Sequence, residues 1–179
     1  MCLKRAGKVY IDGVEQNIRR PQNNVEQREN YSGKKKRHTS KILTITDENK
    51  FIKVITPVYV GSSHDYGIFK GEKIENLLPV KTPIYVDTGF EGIKDICPNC
   101  DIRKPKKKPR KRNLNGGEKL GNRIISRERV KVEHAIGGLK VFKIASECFR
   151  GITQSMGEMI KIACGLWNLH LYVKGLHYD

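Results

Sequence analysis

Three acidic residues occupy positions that fit a divalent-cation site. Asp12 ends the first predicted strand at residues 8–12, Asp87 ends a short apolar run at 83–87, and Glu133 lies within a predicted helix. Mg²⁺ prefers carboxylate oxygens, and two such ions about 3.5–4 Å apart can activate a nucleophile and stabilise the leaving oxygen of a phosphodiester. If the two strands are neighbours in a sheet, these residues predict a site for phosphodiester chemistry.

Each acid also has a plain structural interpretation. Asp12 and Asp87 both precede residues typical of turns, and Asp is common at such positions. Glu133 lies four residues after Arg129, so the two could form an ordinary surface ion pair on one helix. The prediction of a site therefore rests on the three acids together.

The charge of the chain favours a polyanionic partner. Among 179 residues, 35 are Lys or Arg and 19 are Asp or Glu, which gives a net charge of +16. Such an excess typically serves nucleic-acid binding, and it disfavours an enzyme that acts on small acidic substrates. Candidate DNA contacts are two basic runs and two cations near Glu133: Lys34, Lys35, Lys36 and Arg37; Lys106, Lys107, Lys108 and Arg110; and Arg129 and Lys140. A charge run is otherwise simply a solvated surface.

Other sequence features exclude some classes of protein. No apolar run reaches the ~20 residues of a membrane span, and the N-terminus lacks the apolar segment of a secretory signal, so we expect a soluble cytoplasmic protein. The five cysteines have no regular spacing and do not predict a disulfide framework. Cys97 and Cys100 have the spacing of half a zinc site, but without a second pair we favour two free thiols in a connecting loop.

The periodicity of apolar residues predicts a mixed α/β protein. Strands are expected at 8–12, 41–46, 51–60, 83–87 and 101–103, and helices at 65–78, 127–143 (capped by Ser126) and 154–172, with a long basic loop at 15–36. Three antiparallel strands followed by parallel strands give a mixed sheet covered by helices. This order resembles a ribonuclease H-like core.

Several ordered segments of the chain resemble the catalytic domain of DDE transposases of the IS5-like group. They are DGVEQ at 12–16, IRRP at 18–21, YSGKKKRHT at 31–39, GSSHD at 61–65, DTGFEG at 87–92, KKPR at 107–110 and ISRERVKVEHAI at 125–136. Together they extend the resemblance over about residues 8–172.

The resemblance implies a ribonuclease H-like fold and a specific set of site residues. Asp12, Asp87 and Glu133 would be the metal-binding catalytic triad, holding two Mg²⁺ or Mn²⁺ ions, with His64 and Asp65 as accessory residues. The implied activity is DNA cleavage and strand transfer at insertion-sequence ends.

The start of the chain departs from the family pattern. Members usually carry a helical DNA-binding region before the first catalytic strand, whereas seven residues precede Lys8 here. We therefore expect a leader at 1–7, a catalytic domain at 8–174 and a tail at 175–179, as a truncated or split-frame product. Its partners would be DNA and either further copies of itself or a separate DNA-binding chain, in the cytoplasm at the nucleoid. The alternatives are a catalytically inactive DNA-binding remnant and an RNA-binding protein.

Overall fold

The computed structural model describes residue 3 and residues 6–151 and 153–176, so parts of the predicted leader and tail lie outside the described residues. The strands are β1 (Val9–Asn17), β2 (Tyr31–Ser32), β3 (Arg37–Asp47), β4 (Ile52–Ile55), β5 (Tyr59–Val60), β6 (Pro83–Tyr85) and β7 (Asp101–Arg103). The helices are α1 (Asn24–Asn30), α2 (Asp65–Gly71), α3 (Ile93–Ile96), α4 (Gly116–Leu139), α5 (Lys143–Ser146) and α6 (Thr153–Leu176), with a 3₁₀ turn at Ile74–Leu77.

The strands form one mixed sheet. Its order is β2-β3-β1-β6-β7, and β4 and β5 also pair with β3. β1 and β3 are antiparallel, from Val9 opposite Asp47 to Asn17 opposite Thr39, whereas β6 runs parallel to both β1 and β7. A mixed sheet flanked by helices confirms the predicted fold class and is consistent with a ribonuclease H-like fold.

Each face of the sheet has its own core, because successive strand residues point to opposite faces. On one face, Ile11 and Leu43 pack in a cluster with Phe69 of α2. On the other face, Val14 joins a cluster that includes Leu139 of α4 and residues of α6. The two long helices therefore cover the face that carries the side chain of Asp12.

The first strand is longer than predicted, which corrects the position of Asp12. The strand does not end at Asp12. It continues through Gly13 to Asn17, because every residue of β1 pairs with the eleven-residue β3. Gly13 is tolerated within the strand for a steric reason. A Cβ atom there would lie 2.8–2.9 Å from the carboxylate of Asp65, so the missing side chain leaves room for that group.

Two further predictions about the first half of the chain were wrong. Residues 15–36 are not a loop, since they contain the end of β1, helix α1 and strand β2. The side chain of Asn23 caps α1 by accepting a hydrogen bond from the Val25 amide. The predicted strand 51–60 is divided into β4 and β5, and Pro57, which cannot donate a backbone hydrogen bond, lies between them.

The helices differ from prediction mainly at their ends. The predicted helix 65–78 is divided into α2 and the 3₁₀ turn by Lys73, which has a left-handed backbone (φ 50°). Helix α4 begins at Gly116 rather than Arg127, and Ser126 is inside it. Its N-terminus is fixed by a reciprocal capping box between Asn115 and Glu118. This capping compensates for the low helix propensity of the glycines in the first turns of α4. Helix α6 confirms the predicted helix 154–172 with slightly wider bounds.

One remaining expectation concerns the cysteines. Two free thiols were expected, but the structure joins Cys97 to Cys100 as a disulfide. The short helix α3 ends at Ile96, and the loop before β7 brings the two sulfurs together.

Among the helices of the described residues, none combines the length and the hydropathy that crossing a bilayer requires.

Candidate active site

Asp12 lies in β1, whereas Asp87 lies two residues beyond the neighbouring parallel strand β6, which ends at Tyr85 rather than at Asp87 as predicted. β1 and β6 pair with Val9 opposite Ile84 and Tyr10 opposite Tyr85. Continuing that register by two residues brings Asp12 level with Asp87. The two strands carry the same pattern of aliphatic residue, Tyr, aliphatic residue and Asp, a sequence signal that had been missed.

Stacked tyrosines support the two aspartates. The rings of Tyr10 and Tyr85 are 5.1 Å apart at an angle of 18°. Both belong to a small cluster with the fully buried Val132 of α4. Because Asp12 and Asp87 each follow a tyrosine by two residues, both carboxylates belong on the face that α4 covers.

Arg129 of α4 joins the two aspartates. Its Nη2 donates to Oδ2 of Asp12 and its Nη1 donates to Oδ1 of Asp87, each at 3.3 Å. We call these three residues the Arg129 cluster. Arg129 was predicted as a DNA contact, and its position between the carboxylates was not foreseen.

Glu133 follows Arg129 by four residues and so lies one turn further along the same side of α4. Its side chain is exposed. Within the described residues, no three His, Cys, Asp or Glu side chains are close enough together to hold a metal ion. The structure therefore brings together two of the three predicted acids and leaves the third on the neighbouring helical turn.

The environment of Asp12 favours a nearby cation. Burial raises the pKa of Asp12, and the negative charges of Asp87 and Asp65 raise it further. Arg129 and the hydrogen bond from the Gly13 amide act in the opposite direction, without cancelling the effect. A carboxylate in this setting gains from any additional positive charge beside it.

The Asp12–Asp87 pair fits the requirements of a hard divalent cation. Mg²⁺ is usually bound by one or two carboxylates together with water and substrate phosphate. Backbone amides hold both side chains: Gly13 donates to Asp12 at 2.9 Å and Thr88 donates to Asp87 at 2.7 Å. The Asp87 side chain is 47% exposed, so oxygen atoms remain accessible from solvent.

The predicted accessory residues lie on the other side of β1. Asp65 begins α2, and its Oδ1 is 3.1 Å from Nζ of Lys41, which also lies 3.5 Å from Oε1 of Glu15. We call Lys41, Glu15 and Asp65 the Lys41 cluster. His64 is exposed at the N-terminus of α2 and makes no capping hydrogen bond through its side chain. Glu15 and Lys41 were missed, although they are direct partners in the β1–β3 ladder.

The first basic run forms an exposed turn near the Arg129 cluster. Lys34, Lys35 and Lys36 connect β2 to β3, and Arg37 begins β3. Burial lowers the pKa of Lys140, and the positive charge of Lys35 lowers it further, while Asp12 has the opposite effect. The positive charge of Lys35 therefore acts on the Lys140 ammonium group, and the negative charge of Asp12 acts on it as well.

The second basic run is partly neutralised by acids. Lys106 lies 2.8 Å from Glu118 and Lys107 lies 3.3 Å from Glu91. The amide of Lys106 donates to the side chain of Asn122 at 2.7 Å, which fixes the run against α4. Within the described part of the chain, neither Lys108 nor Arg110 has an ion pair, so these two offer their charge to solvent most freely.

Comparison with known proteins assigns this arrangement to a family. The family model described as DDE superfamily endonuclease matches residues 11–168, which include the Arg129 cluster, Glu133 and the Lys41 cluster. The chain belongs to the DDE superfamily endonucleases.

A transposase is among the relatives of this DDE endonuclease. The chain is 31% identical over 168 residues to the probable transposase for insertion sequence element IS702 of Microchaete diplosiphon. The match covers 93% of this chain and 58% of that protein, so the chain spans little more than half of the relative's length. No solved structure matches the chain.

Proposed function

We propose that this chain is the catalytic domain of a transposase, which cleaves DNA at insertion-sequence ends and transfers the 3′ strand to a target in a reaction that depends on Mg²⁺ or Mn²⁺. The catalytic residues in this proposal are Asp12, Asp87 and Glu133. The observation that carries it is that Arg129 bridges Asp12 of β1 and Asp87, which lies two residues beyond the adjacent parallel strand β6, within a DDE endonuclease match.

The proposed metal ligands are the same three carboxylates. Bound divalent ions, two per site, supply a Lewis acid that activates water or a 3′-hydroxyl and stabilises the leaving oxygen. Asp12 and Asp87 present two rigidly supported ligands, because backbone amides orient both carboxylates. Glu133 is proposed to complete the set from α4, since its exposed side chain is free to rotate toward them.

The basic residues are proposed to hold DNA against this acidic site. Lys34, Lys35, Lys36 and Arg37 form one proposed DNA-binding segment, and Lys106, Lys107, Lys108 and Arg110 form another. Lysine and arginine contact phosphate without reading base sequence, and they offset the repulsion between DNA and the carboxylates. Arg129 and Lys140 are the proposed contacts nearest the cleaved phosphate, because both lie close to Asp12.

The test is nicking of a supercoiled plasmid in Mg²⁺ or Mn²⁺ by the wild type and by Asp87→Asn. The substitution should reduce nicking to background and leave DNA affinity unchanged or higher, because it removes a ligand and a repelling charge. Asp95→Asn is a matched control, since Asp95 is an exposed residue of α3 outside the site. Wild-type nicking by Asp87→Asn would refute the catalytic assignment.

A second candidate function is DNA binding without catalysis. It is favoured by one observation, namely that Glu133 lies apart from the two aspartates in the described structure. A wild-type chain that binds DNA with a steep salt dependence, yet shows no metal-dependent nicking, would establish this alternative.

The partners in this proposal are DNA and either a second copy of the chain or a separate DNA-binding chain, and the proposed location is the cytoplasm at the nucleoid. Sedimentation of the chain with and without duplex DNA would determine its oligomeric state.

A further inference from the structure

Arg129 occupies an unusual position for a DNA contact. Its side chain is 14% exposed, and its two terminal nitrogens reach one carboxylate each. Those carboxylates, Asp12 of β1 and Asp87 just beyond β6, are two of the metal ligands of the proposed function. One guanidinium is therefore the counter-ion shared by both.

The contacts of Arg129 are weak for a guanidinium–carboxylate pair. Each carboxylate receives a single nitrogen at 3.3 Å, whereas charge-assisted hydrogen bonds are usually about 2.7–2.9 Å and the strongest arginine pairs are bidentate. The buried Nε donates no hydrogen bond to any described residue. A phosphate group would offer this guanidinium the bidentate partner that neither aspartate provides.

Building on the proposed function, we propose that Arg129 couples the binding of divalent cations to the binding of DNA. Without DNA, its guanidinium competes with the metal ion for Asp12 and Asp87. When a DNA phosphate draws the guanidinium away, the carboxylate oxygens become available to the ion. By linkage, the ion must then strengthen the binding of DNA by the same factor.

The positions of the neighbouring cations are consistent with this competition. The negative charge of Asp12 also acts on Lys140, so a second basic residue lies near this carboxylate before any metal binds. A divalent ion placed at the same oxygens would meet repulsion from Arg129 first, because no other basic side chain in the described residues forms an ion pair with either aspartate.

The experiment measures Mn²⁺ binding by the electron paramagnetic resonance signal of the free ion, with and without a short DNA duplex. The binding of Mn²⁺ to the duplex alone is subtracted. In the wild type, DNA should raise the affinity for Mn²⁺ about tenfold, within the usual range of coupled binding. In Arg129→Gln, the affinity without DNA should already be raised, and added DNA should change it little.

Two variants make this result specific. Arg127→Gln removes the same charge from the same helix, two residues away and on a different side, and should behave like the wild type. Arg129→Lys keeps the positive charge without the two-nitrogen bridge and should give intermediate coupling. It also keeps the test valid if Arg129→Gln folds poorly, which circular dichroism would reveal.

The outcomes separate this inference from the proposed function. If Mn²⁺ binding is lost in Asp12→Asn but is weaker in Arg129→Gln than in the wild type, Arg129 positions the ligands and the competition is refuted. Equal coupling in wild type and Arg129→Gln would refute the coupling role. If no protein shows Mn²⁺ binding that depends on Asp12, the metal site itself is refuted, and both proposals fail.

Discussion

The Arg129 cluster and the Lys41 cluster lie on opposite faces of β1 and share one plan. In each, a single basic side chain lies between a carboxylate of β1 and a carboxylate of another element. The similarity ends there, because the carboxylates of the two clusters differ in how far they are exposed to solvent.

The Lys41 cluster is closed to solvent. Nζ of Lys41 also donates to the carbonyl of Ser63 at 2.7 Å, and Glu15 accepts a hydrogen bond from the hydroxyl of Ser32 at 2.7 Å. The side chains of Lys41 and Glu15 are only 11% and 12% exposed. Oδ1 of Asp65 is held by its ion pair with Lys41 but accepts no hydrogen bond among the described residues. The network links α2 and the β2–β3 region to β1.

The Arg129 cluster is open. Both of its ion pairs are 3.3 Å long, the buried Nε of Arg129 has no hydrogen-bond partner among the described residues, and Asp87 is half-exposed. The comparison teaches that a charged cluster enclosed by the protein serves structure in this fold. A cluster that opens to solvent, as at Asp87, is suited to exchanging one cation for another.

The largest effect is expected from breaking the closed cluster. Lys41→Met would leave the carboxylates of Glu15 and Asp65 largely buried without their cation, which typically costs about 3–5 kcal/mol. Urea unfolding should show this loss in the free energy of unfolding. Lys161→Met, which removes an exposed ion pair with Glu158, is the control and should change stability by less than about 0.5 kcal/mol.

A smaller loss is expected when the approach of Asp65 to β1 is blocked. In Gly13→Ala, the new methyl group would overlap the Asp65 carboxylate, and overpacking of this kind costs about 1–3 kcal/mol. In an Asp65→Ala background, the same change should be neutral or stabilising. Gly33→Ala is the control, because nothing lies within 4 Å of a Cβ at that position. An equal loss in both backgrounds would contradict the steric explanation.

Glu128, the residue next to Arg129, should contribute to the free energy of unfolding in a pH-dependent way. Hydrogen bonds from Lys8 and Tyr10 lower the pKa of Glu128 to about 2. A lowered carboxylate pKa stabilises the folded state above the ordinary value near 4.5, and that contribution is lost as the pH falls from there to about 2. Glu128→Gln should therefore cost about 1 kcal/mol at pH 7. Unfolding curves of both proteins should converge over that acidic range, and a gap that stays constant would exclude this origin.

The smallest effect on stability is expected from opening the Arg129 cluster. Arg129→Gln should lower the free energy of unfolding by less than about 1 kcal/mol, because Asp87 is half-exposed and both contacts are long. The loss should shrink further at high salt, as screening of exposed charges requires. A loss as large as that of Lys41→Met would contradict the distinction between the clusters.

Much of the sheet could be predicted from sequence, because strands leave local patterns. The apolar runs at 41–46 and 83–87 and the stripe of α6 have the periodicity of their elements, and all three appear close to their predicted positions. The start of α4 could not be predicted as readily, because glycines at 116, 117 and 121 weaken the helical pattern. The capping box compensates for their low helix propensity in the structure.

The candidate site was predictable only in part. The adjacency of Asp12 and Asp87 follows from strand order, and the repeated tyrosine–aspartate pattern would have strengthened it. The roles of Arg129 and Lys41 depend on which side chains α4 and β3 bring across β1. These contacts join residues far apart in sequence, and no local pattern encodes them.

The place of Asp12 within β1 also has a mechanical consequence. Its backbone pairs with Thr44 of β3, and the pairing of β1 with β6 ends two residues earlier at Tyr10, so β3 holds this wall of the site in place. Glu133 stands on the opposite wall with an exposed, unrestrained side chain. In the proposed function, adjustment to the size of a bound ion or to the path of a DNA strand would therefore fall to the helix side of the site.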